Sequence, residues 1–282
     1  MLVISEMRYK DAKLAFEKDP HSEQHFAEAQ FGQTSLAPEI EALHPNTRVL
    51  EVGSGSGILL CHLAMQRPDI SFLGLEPTGE GFNYIHTFHQ LANSLPNAVL
   101  QKCGYEDMND DEGFDLIYLI NVFEHLPNWK DFIQRLDGLL KPNGKCLILC
   151  PNYSFPYEPH FRLPIICNKN ISRKLMGKKI NKIEREENSN GLWNSLNFVK
   201  YRKVLAFSRD LGFEVSFEKE IIKDMIERLE TDPEFLSRQK ILKFPVWVVQ
   251  KTGMINAFAT HRIFEMWLPY MYLSITKSQP QD

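Results

Sequence analysis

The fold is decided by Val49-Leu50-Glu51-Val52-Gly53-Ser54-Gly55-Ser56-Gly57, which leads into Ile58-Leu59-Leu60-Cys61-His62-Leu63-Ala64. An apolar run of strand type enters three alternating glycines and continues as a helical pattern. This order predicts the strand, turn and helix that open a nucleotide-binding α/β unit. Glycine permits positive φ and leaves no Cβ atom in the path of a ligand across the turn. The N–H groups at the start of the helix then face that ligand.

An acidic residue follows the second strand-like run of the chain. The run Ser71–Leu75 is followed directly by Glu76, about 23 residues after Gly53. At this position a carboxylate can accept hydrogen bonds from both hydroxyls of a ribose. The dinucleotide fingerprint needs a small residue at its third glycine position, and this chain has Ile58 there. The pattern therefore favours a different nucleoside ligand, with an NAD-dependent oxidoreductase as an alternative.

Three motifs resemble those of one enzyme family. The pattern E-x-G-x-G-x-G over Glu51–Gly57 resembles motif I of the class I S-adenosylmethionine-dependent methyltransferases that act on small molecules, and Leu75–Pro77 resembles motif II. The run from Val122 to Leu147 is similar to their V-x-E-H-x-P … L-L-K-P-x-G-x-L pattern. The resemblance implies S-adenosyl-L-methionine as cofactor and an α/β fold with a Rossmann-like seven-stranded sheet. That sheet would be mostly parallel with an antiparallel last strand, and would carry helical insertions.

The resemblance also implies a set of cofactor-binding residues. By analogy with the family these are Glu51, Gly53, Ser54, Gly55, Glu76, Pro77, Glu106, Asp107 and Asn121. Gly104 stands where an aspartate is frequent in the family, so Glu106 or Asp107 would take over the contact to the adenine ring. A non-catalytic binding or regulatory protein that keeps the fold for assembly is the alternative outside the enzymes.

Two histidines are candidates for acid–base catalysis. Methyl transfer from a sulfonium is a displacement that depends on alignment, so a metal is not expected, and a base is needed only where the acceptor must lose a proton. His125 follows the central strand and His160 follows the fifth, and an ordinary imidazole pKa near 6.5 suits this role. The alternative for His125 is a structural role in its loop.

The predicted elements divide the chain into six segments. They are a helical cap (1–45), the cofactor-binding core (46–150), a first insertion (151–200), a core helix and strand (201–217), a helical second insertion (218–267), and the last strand with the tail (268–282). Both insertions are predicted to form a lid or acceptor-binding region. Within the core, the pattern predicts a helix over 79–95, a turn over 141–144 and the fifth strand over 145–150.

The amino-acid composition limits the kinds of molecule that the protein is expected to bind. A net charge of −4 argues against general nucleic-acid binding, which needs a basic surface. Five cysteines without paired spacing indicate reduced thiols and a cytoplasmic location. We expect an oxygen, less so a nitrogen, of a small-molecule or glycan-type acceptor, and the basic stretch Ser172–Lys182 leaves an anionic acceptor open. No membrane span is expected, while peripheral membrane contact and a homo-oligomer stay open.

Overall fold

The computed structural model describes residues 2–18, 22–77, 86–108, 110–187, 189–218, 220–240, 246–247, 251–252 and 268–277. Strands and helices alternate along most of this chain. The strands are β1 (Arg48–Val52), β2 (Ser71–Leu75), β3 (Ala98–Gln101), β4 (Phe114–Ile120), β5 (Leu140–Pro151), β6 (Tyr157–Glu158), β7 (Leu163–Pro164), β8 (Phe213–Phe217) and β9 (Tyr270–Lys277).

Helices precede the sheet, connect its strands and occur in both predicted insertions. They are α1 (Leu2–Phe16), α2 (Ser22–Glu41), α3 (Ile58–Gln66), α4 (His86–Ala92), α5 (Trp129–Leu139), α6 (Lys169–Glu186), α7 (Leu192–Ser195), α8 (Tyr201–Asp210), α9 (Ile221–Thr231) and α10 (Pro233–Arg238). Two short 3₁₀ helices cover Tyr105–Asp107 and Phe123–His125.

Within the described ranges, hydrogen bonds join seven strands in the order β3-β2-β1-β4-β5-β9-β8. Strand β1 pairs in parallel with β2 on one side and β4 on the other, so that Leu50 lies between Leu73 and Ile117. Strand β9 runs antiparallel to β8. The predicted Rossmann-like seven-stranded sheet with an antiparallel last strand is therefore confirmed.

The chain forms two compact units, which are described separately. The first comprises residues 1–120 and 135–147. Its central strand β1 carries Val49 and Leu50 with no exposed surface, and helix α3 is buried along Ile58–Cys61. Apolar residues with almost no polar interruption are typical of elements covered on several sides, as in parallel α/β sheets. This burial holds the end of β1, and hence the glycine turn, in place.

The second unit comprises residues 121–134 and 148–282. The region of the first predicted insertion has an aromatic core of its own, formed by Phe161, Leu163, Ile180, Trp193 and Leu196. Trp193 is almost fully buried, and its backbone N–H donates to Glu184 Oε1 at 3.1 Å. Helix α6 is thus fixed by packing through Ile180 and by a charge-assisted hydrogen bond.

Two predicted elements differ from the structure or lie partly outside it. Strand β5 begins at Leu140, and the predicted turn over 141–144 is part of this strand. Gly144 has no side chain, so the strand approaches the Phe114 carbonyl closely: a Cβ atom there would lie 2.6 Å from that oxygen. The first part of the predicted helix 79–95 and most of 241–267 lie outside the described residues.

Among the helices that the structure describes, none combines the length and apolar character required to cross a bilayer.

Two glycine-to-alanine variants test the close approach in β5. Gly144→Ala should lower the free energy of unfolding by about 1–3 kcal/mol, because overpacking against backbone forces the strand to move. Gly138→Ala is the matched control, since a Cβ atom on this residue of α5 meets no described atom within 4 Å. It should raise stability by about 0.5–1 kcal/mol through helix propensity. Urea unfolding measures both values, and a Gly144→Ala variant as stable as the parent would contradict the packing argument.

Candidate active site

The glycine turn after β1 adopts the backbone that the sequence predicts. Gly53, Gly55 and Gly57 have φ of 76°, 52° and 78°, values that other residues rarely adopt. The N–H groups of Gly53 and Ser54 donate to the Leu75 carbonyl oxygen at 2.8 and 2.9 Å. The turn is therefore fastened to the end of β2 while Gly57 starts helix α3.

Open space lies beside the middle glycine. A Cβ atom on Gly55 would meet no atom of the described residues within 4 Å, whereas one on Gly57 would lie 3.0 Å from Leu100 Cδ1. Gly57 is needed for packing as well as for its φ. Gly55 leaves the backbone uncovered, as a turn that cradles a ligand requires.

Glu76 meets this turn, as predicted. Its Oε2 accepts a hydrogen bond from the Gly55 N–H at 2.7 Å, and its pKa is raised, mainly by burial. The carboxylate at the end of β2 and the glycine backbone after β1 thus converge. No described residue occupies the second oxygen, Oε1, by hydrogen bonding, so the carboxylate retains an acceptor for a ligand hydroxyl.

Glu51 lies in β1, below the turn, and is 4% exposed. Its pKa is raised to about 8, chiefly by burial and also by the charge of Glu76, with the neighbouring hydroxyls of Ser54 and Tyr118 acting in the opposite direction. The first unit therefore holds a carboxyl group that keeps its proton up to about pH 8. A cation bound close to it would favour the ionised form.

The remaining predicted cofactor residues have different surroundings. Pro77 is exposed next to Glu76, and Glu106 and Asp107 are exposed in the 3₁₀ helix after β3. Among the described residues, no hydrogen bond joins Glu106 or Asp107 to the glycine turn. The structure thus groups Glu51, Ser54 and Glu76 with the glycines. In the described residues, Glu106 instead accepts from Arg135 Nη1 through its carbonyl at 3.3 Å.

The sequence analysis missed His89 in this unit. It is buried on α4, and its Nε2 lies 2.9 Å from the Gly55 carbonyl oxygen. His89 belongs to an apolar helical pattern in which nothing distinguishes it from a packing residue. The contact of His89 with the Gly55 carbonyl depends on the packing of α4 against the turn, which the sequence pattern does not reveal.

In the second unit, the chain after β4 turns sharply. Asn121 has a φ of 53° and donates its N–H to the Leu149 carbonyl at 2.8 Å. The following 3₁₀ helix is clamped by Asn197, whose Nδ2 donates to the carbonyls of Phe123 and Leu126 at 2.7 and 3.1 Å. These bonds fix the backbone that carries Glu124 and His125.

The two predicted catalytic histidines lie together, beside a buried carboxylate. The rings of His125 and His160 are 5.3 Å apart in an edge-to-face arrangement. Glu124 is fully buried, and its Oε1 lies 3.9 Å from His160 Nε2. One ligand atom from each residue falls within 4.8 Å of the others, so the three side chains form one cluster, called here the Glu–His–His cluster.

A second buried carboxylate, Glu158, orients His160. Glu158 Oε1 lies 2.7 Å from His160 Nδ1 and accepts from the Tyr153 hydroxyl at 3.2 Å, while Oε2 accepts from the Phe161 N–H at 2.6 Å. The sequence analysis assigned Glu158 no role, although it stands two residues before His160. Tyr153 and Phe161 hold the Glu158 carboxylate in place, and the carboxylate in turn orients the ring of His160.

His125 has an unusual protonation equilibrium. Its pKa is lowered to about 3, chiefly by burial and also by the charge of His160. Its Nδ1 lies 3.3 Å from Ser195 Oγ. The interpretation from sequence assumed an ordinary value near 6.5. In the structure the imidazole is uncharged at neutral pH and is a much weaker base.

The raised pKa of Glu51 predicts a pH dependence of stability. The folded protein holds this proton up to about pH 8, whereas the unfolded chain releases it near the ordinary value of 4.5. The free energy of unfolding should therefore fall by a few kcal/mol as pH rises between these values, at about 1.4 kcal/mol per pKa unit. Glu51→Gln should remove this slope, measured by urea unfolding from pH 5 to 8. The exposed Glu41→Gln is the control, and parallel curves for Glu51→Gln and the parent would refute the assignment.

The sequence is similar to those of known methyltransferases. A family model described as a methyltransferase domain matches residues 23–201. The uncharacterized protein Rv1509 of Mycobacterium tuberculosis (strain ATCC 25618 / H37Rv) is 34% identical over 216 residues, covering 76% of this chain and 73% of that protein. The ubiquinone biosynthesis O-methyltransferase of Rickettsia prowazekii (strain Madrid E) is 29% identical over 106 residues, covering 37% of this chain and 40% of that protein.

Solved structures agree with the fold. Haemonchus contortus phosphoethanolamine N-methyltransferase 2, in complex with S-adenosyl-L-methionine, has a TM-score of 0.53 at 13% identity, over 88% of this chain and 52% of that one. The family match covers more than half of the sequence and includes the glycine turn, Glu76 and the Glu124–His125 pair. The chain therefore belongs to the methyltransferase domain family and is a class I S-adenosylmethionine-dependent methyltransferase.

Proposed function

We propose that the enzyme methylates a hydroxyl oxygen of a small-molecule or glycan-type acceptor. The observation that carries this proposal is the Glu–His–His cluster with Glu158 behind His160. A neutral amine already has a lone pair for attack, whereas a hydroxyl group becomes a strong nucleophile only as its proton leaves. The relatives include proteins named for both atoms, an O-methyltransferase and an N-methyltransferase, so the choice of oxygen rests on the cluster.

The residues around the glycine turn fit S-adenosyl-L-methionine. We propose that Gly53, Ser54 and Gly55 lie along the bound cofactor, because the space beside Gly55 is open. Glu76 would accept from the ribose hydroxyls, and the buried carboxyl group of Glu51 would favour the positive charge. Pro77, Glu106, Asp107 and Asn121 complete the proposed contacts. When bound, the cofactor supplies a methyl group already activated by its sulfonium.

The acceptor side is assigned to His160 and His125. Because Glu158 accepts from His160 Nδ1, the Nε2 of a neutral His160 carries the lone pair and can receive the proton of a hydroxyl group. The lowered pKa of His125 makes it a weak base, so its role is to orient the acceptor through hydrogen bonding. Deprotonation of the acceptor by a positioned base contributes about 10²- to 10⁴-fold to the rate.

The two predicted insertions supply the proposed acceptor-binding region. Tyr157 of the first insertion donates its hydroxyl to Gln239 Oε1 at 2.8 Å. Gln239 Nε2 in turn donates to the Pro159 carbonyl at 3.0 Å. These bonds join residues from both insertions around the loop that bears His160. We propose that this loop and helix α6 surround the acceptor.

Helix α6 favours an acceptor with negative charge. Lys174, Lys178 and Lys182 are exposed at four-residue intervals, which places them on one face of the helix. A phosphate or carboxylate group would be attracted by this face. Because exposed charges are screened by salt, the attraction should weaken at high ionic strength.

Cofactor binding is tested with Glu76→Ala. The variant loses a charge-assisted acceptor, so its affinity for S-adenosylmethionine should fall by about 1.5–3 kcal/mol, or about 10- to 150-fold. Isothermal titration calorimetry measures this change, and the exposed Glu41→Ala is the matched control. Equal affinity of Glu76→Ala and the parent would place the ribose contact elsewhere, and no binding by the parent would favour the non-catalytic alternative.

Acceptor chemistry is tested with methyl-labelled cofactor and a panel comprising a phenol, a catechol, a hexose, a hexose phosphate and an alkylamine. Label should appear on hydroxyl oxygen, and the KM of the hexose phosphate should rise with salt. His160→Ala should lower kcat by about 100-fold or more with unchanged cofactor affinity. The exposed His44→Ala should leave kcat unchanged. Label on the amine alone would contradict the proposal.

A further inference from the structure

We propose that Glu124, His125 and His160 form a binding site for one divalent transition-metal ion, to which the acceptor's oxygen binds. The inference rests on the proposed function, because it specifies how the acceptor side of the enzyme works. It departs from the expectation that no metal is needed. Methyl transfer does not require an ion, but the Glu–His–His cluster has the chemistry of an ion site.

The separations of the ligand atoms are close to those around a bound ion. Zinc binds imidazole nitrogen and carboxylate oxygen at about 2.0–2.2 Å, so two ligands of a tetrahedral ion lie about 3.4 Å apart. Glu124 Oε1 and His160 Nε2 are 3.9 Å apart, and all three ligand atoms lie within 4.8 Å. Rotation of the side chains about their χ angles would bring the three ligand atoms closer around an ion.

The hydrogen bonds of His160 direct a lone pair into the cluster. Glu158 Oε1 lies 2.7 Å from Nδ1, and Nδ1 is therefore the protonated nitrogen of the neutral ring. The other nitrogen, Nε2, then has a lone pair on the side of Glu124. A carboxylate behind a histidine is the arrangement that fixes the tautomer and strengthens the basicity of a metal-ligating imidazole.

Ser195 has the same effect on His125. The Ser195 hydroxyl donates its hydrogen to the Leu192 carbonyl at 2.9 Å, so Oγ acts as an acceptor toward His125 Nδ1 at 3.3 Å. The neutral ring is consequently protonated on Nδ1 and has its lone pair on Nε2. Both imidazoles are thus set in the tautomer that binds a metal through Nε2.

The cluster is held rigidly on both sides. The Glu124 carbonyl accepts from the Asn197 N–H at 2.7 Å, and Asn197 Nδ2 holds the flanking carbonyls of the same turn. Tyr153 and Phe161 fix Glu158. A site whose ligands are oriented in advance loses less entropy when the ion binds.

The donor set indicates the kind of ion and its chemistry. Two imidazoles and one carboxylate suit Zn²⁺ and related first-row divalent ions more than Mg²⁺, which prefers oxygen. Three protein ligands leave positions open for an acceptor. A hydroxyl oxygen bound there would release its proton to solvent more readily, as water does on zinc. With the ion in place, the histidines serve as ligands, and an acceptor with two adjacent oxygens would bind best.

The test uses Zn²⁺ alone on the full-length protein after treatment with a chelator. Calorimetry should show one equivalent of Zn²⁺ per chain. Glu124→Gln and His160→Ala should abolish this step. Glu158→Gln, which leaves all three ligands in place and removes the negative charge behind His160, should weaken it about 10- to 100-fold. The exposed pair Glu214→Gln and His44→Ala are matched controls that should bind as the parent does.

Two further measurements guard against misfolded variants. Circular dichroism establishes folding, and Co²⁺ should give the parent a visible absorption band that Zn²⁺ removes and that His160→Ala lacks. A parent without stoichiometric Zn²⁺ uptake, or a folded Glu124→Gln variant with unchanged affinity, would overturn the metal site. Binding of S-adenosylmethionine to the metal-free parent is measured separately, so that failure of the cofactor assignment is distinguishable from failure of the metal site.

Discussion

The hydrogen bond from the Gly55 N–H to Glu76 Oε2 is the interaction on which the first unit depends. It closes a series in which the N–H groups of Gly53, Ser54 and Gly55 all bond to the end of β2. Such a series is available only because β1 and β2 pair in register, with Val52 opposite Leu75, and because glycine tolerates the φ values of the bend. The same bond sets the direction of the carboxylate. This one hydrogen bond therefore links the register of the sheet to the geometry of the turn and to the orientation of the Glu76 carboxylate.

The second unit is organised around buried negative charge. Burial of a carboxylate costs several kcal/mol unless donors replace the lost water. Glu158 has three such donors, and one of them is the imidazole of His160. Glu124, equally buried, lies next to the same imidazole. A cation bound at the Glu–His–His cluster, as proposed, would offset the cost of burying Glu124.

Local patterns allowed most of the fold and half of the site to be predicted. The glycines and Glu76 could be recognised because each directly follows a strand-like run of the sequence. The seven-stranded, mostly parallel sheet with an antiparallel last strand was predicted from the family resemblance. His125 and His160 were predicted singly, but their contact depends on a crossover of 35 residues that has no periodic signal. Ser195 and Asn197 reach the turn around His125 through hydrogen bonds between residues about 70 positions apart in sequence, and such bonds leave no local pattern. Glu158 acts through short-range bonds in an irregular loop, which has no periodic signal either. The lowered pKa of His125 depends on burial, which only the tertiary structure determines.

The aromatic core of the first insertion has a consequence for how this enzyme could diversify. Phe161 and Trp193 support helix α6 from within, so the outward lysines of that helix contribute little to its folding. Changes there would be nearly neutral for stability, while the chemistry of the neighbouring loop is retained. Substitutions on this one helix surface could therefore change the charge that the enzyme presents to solvent without altering its fold.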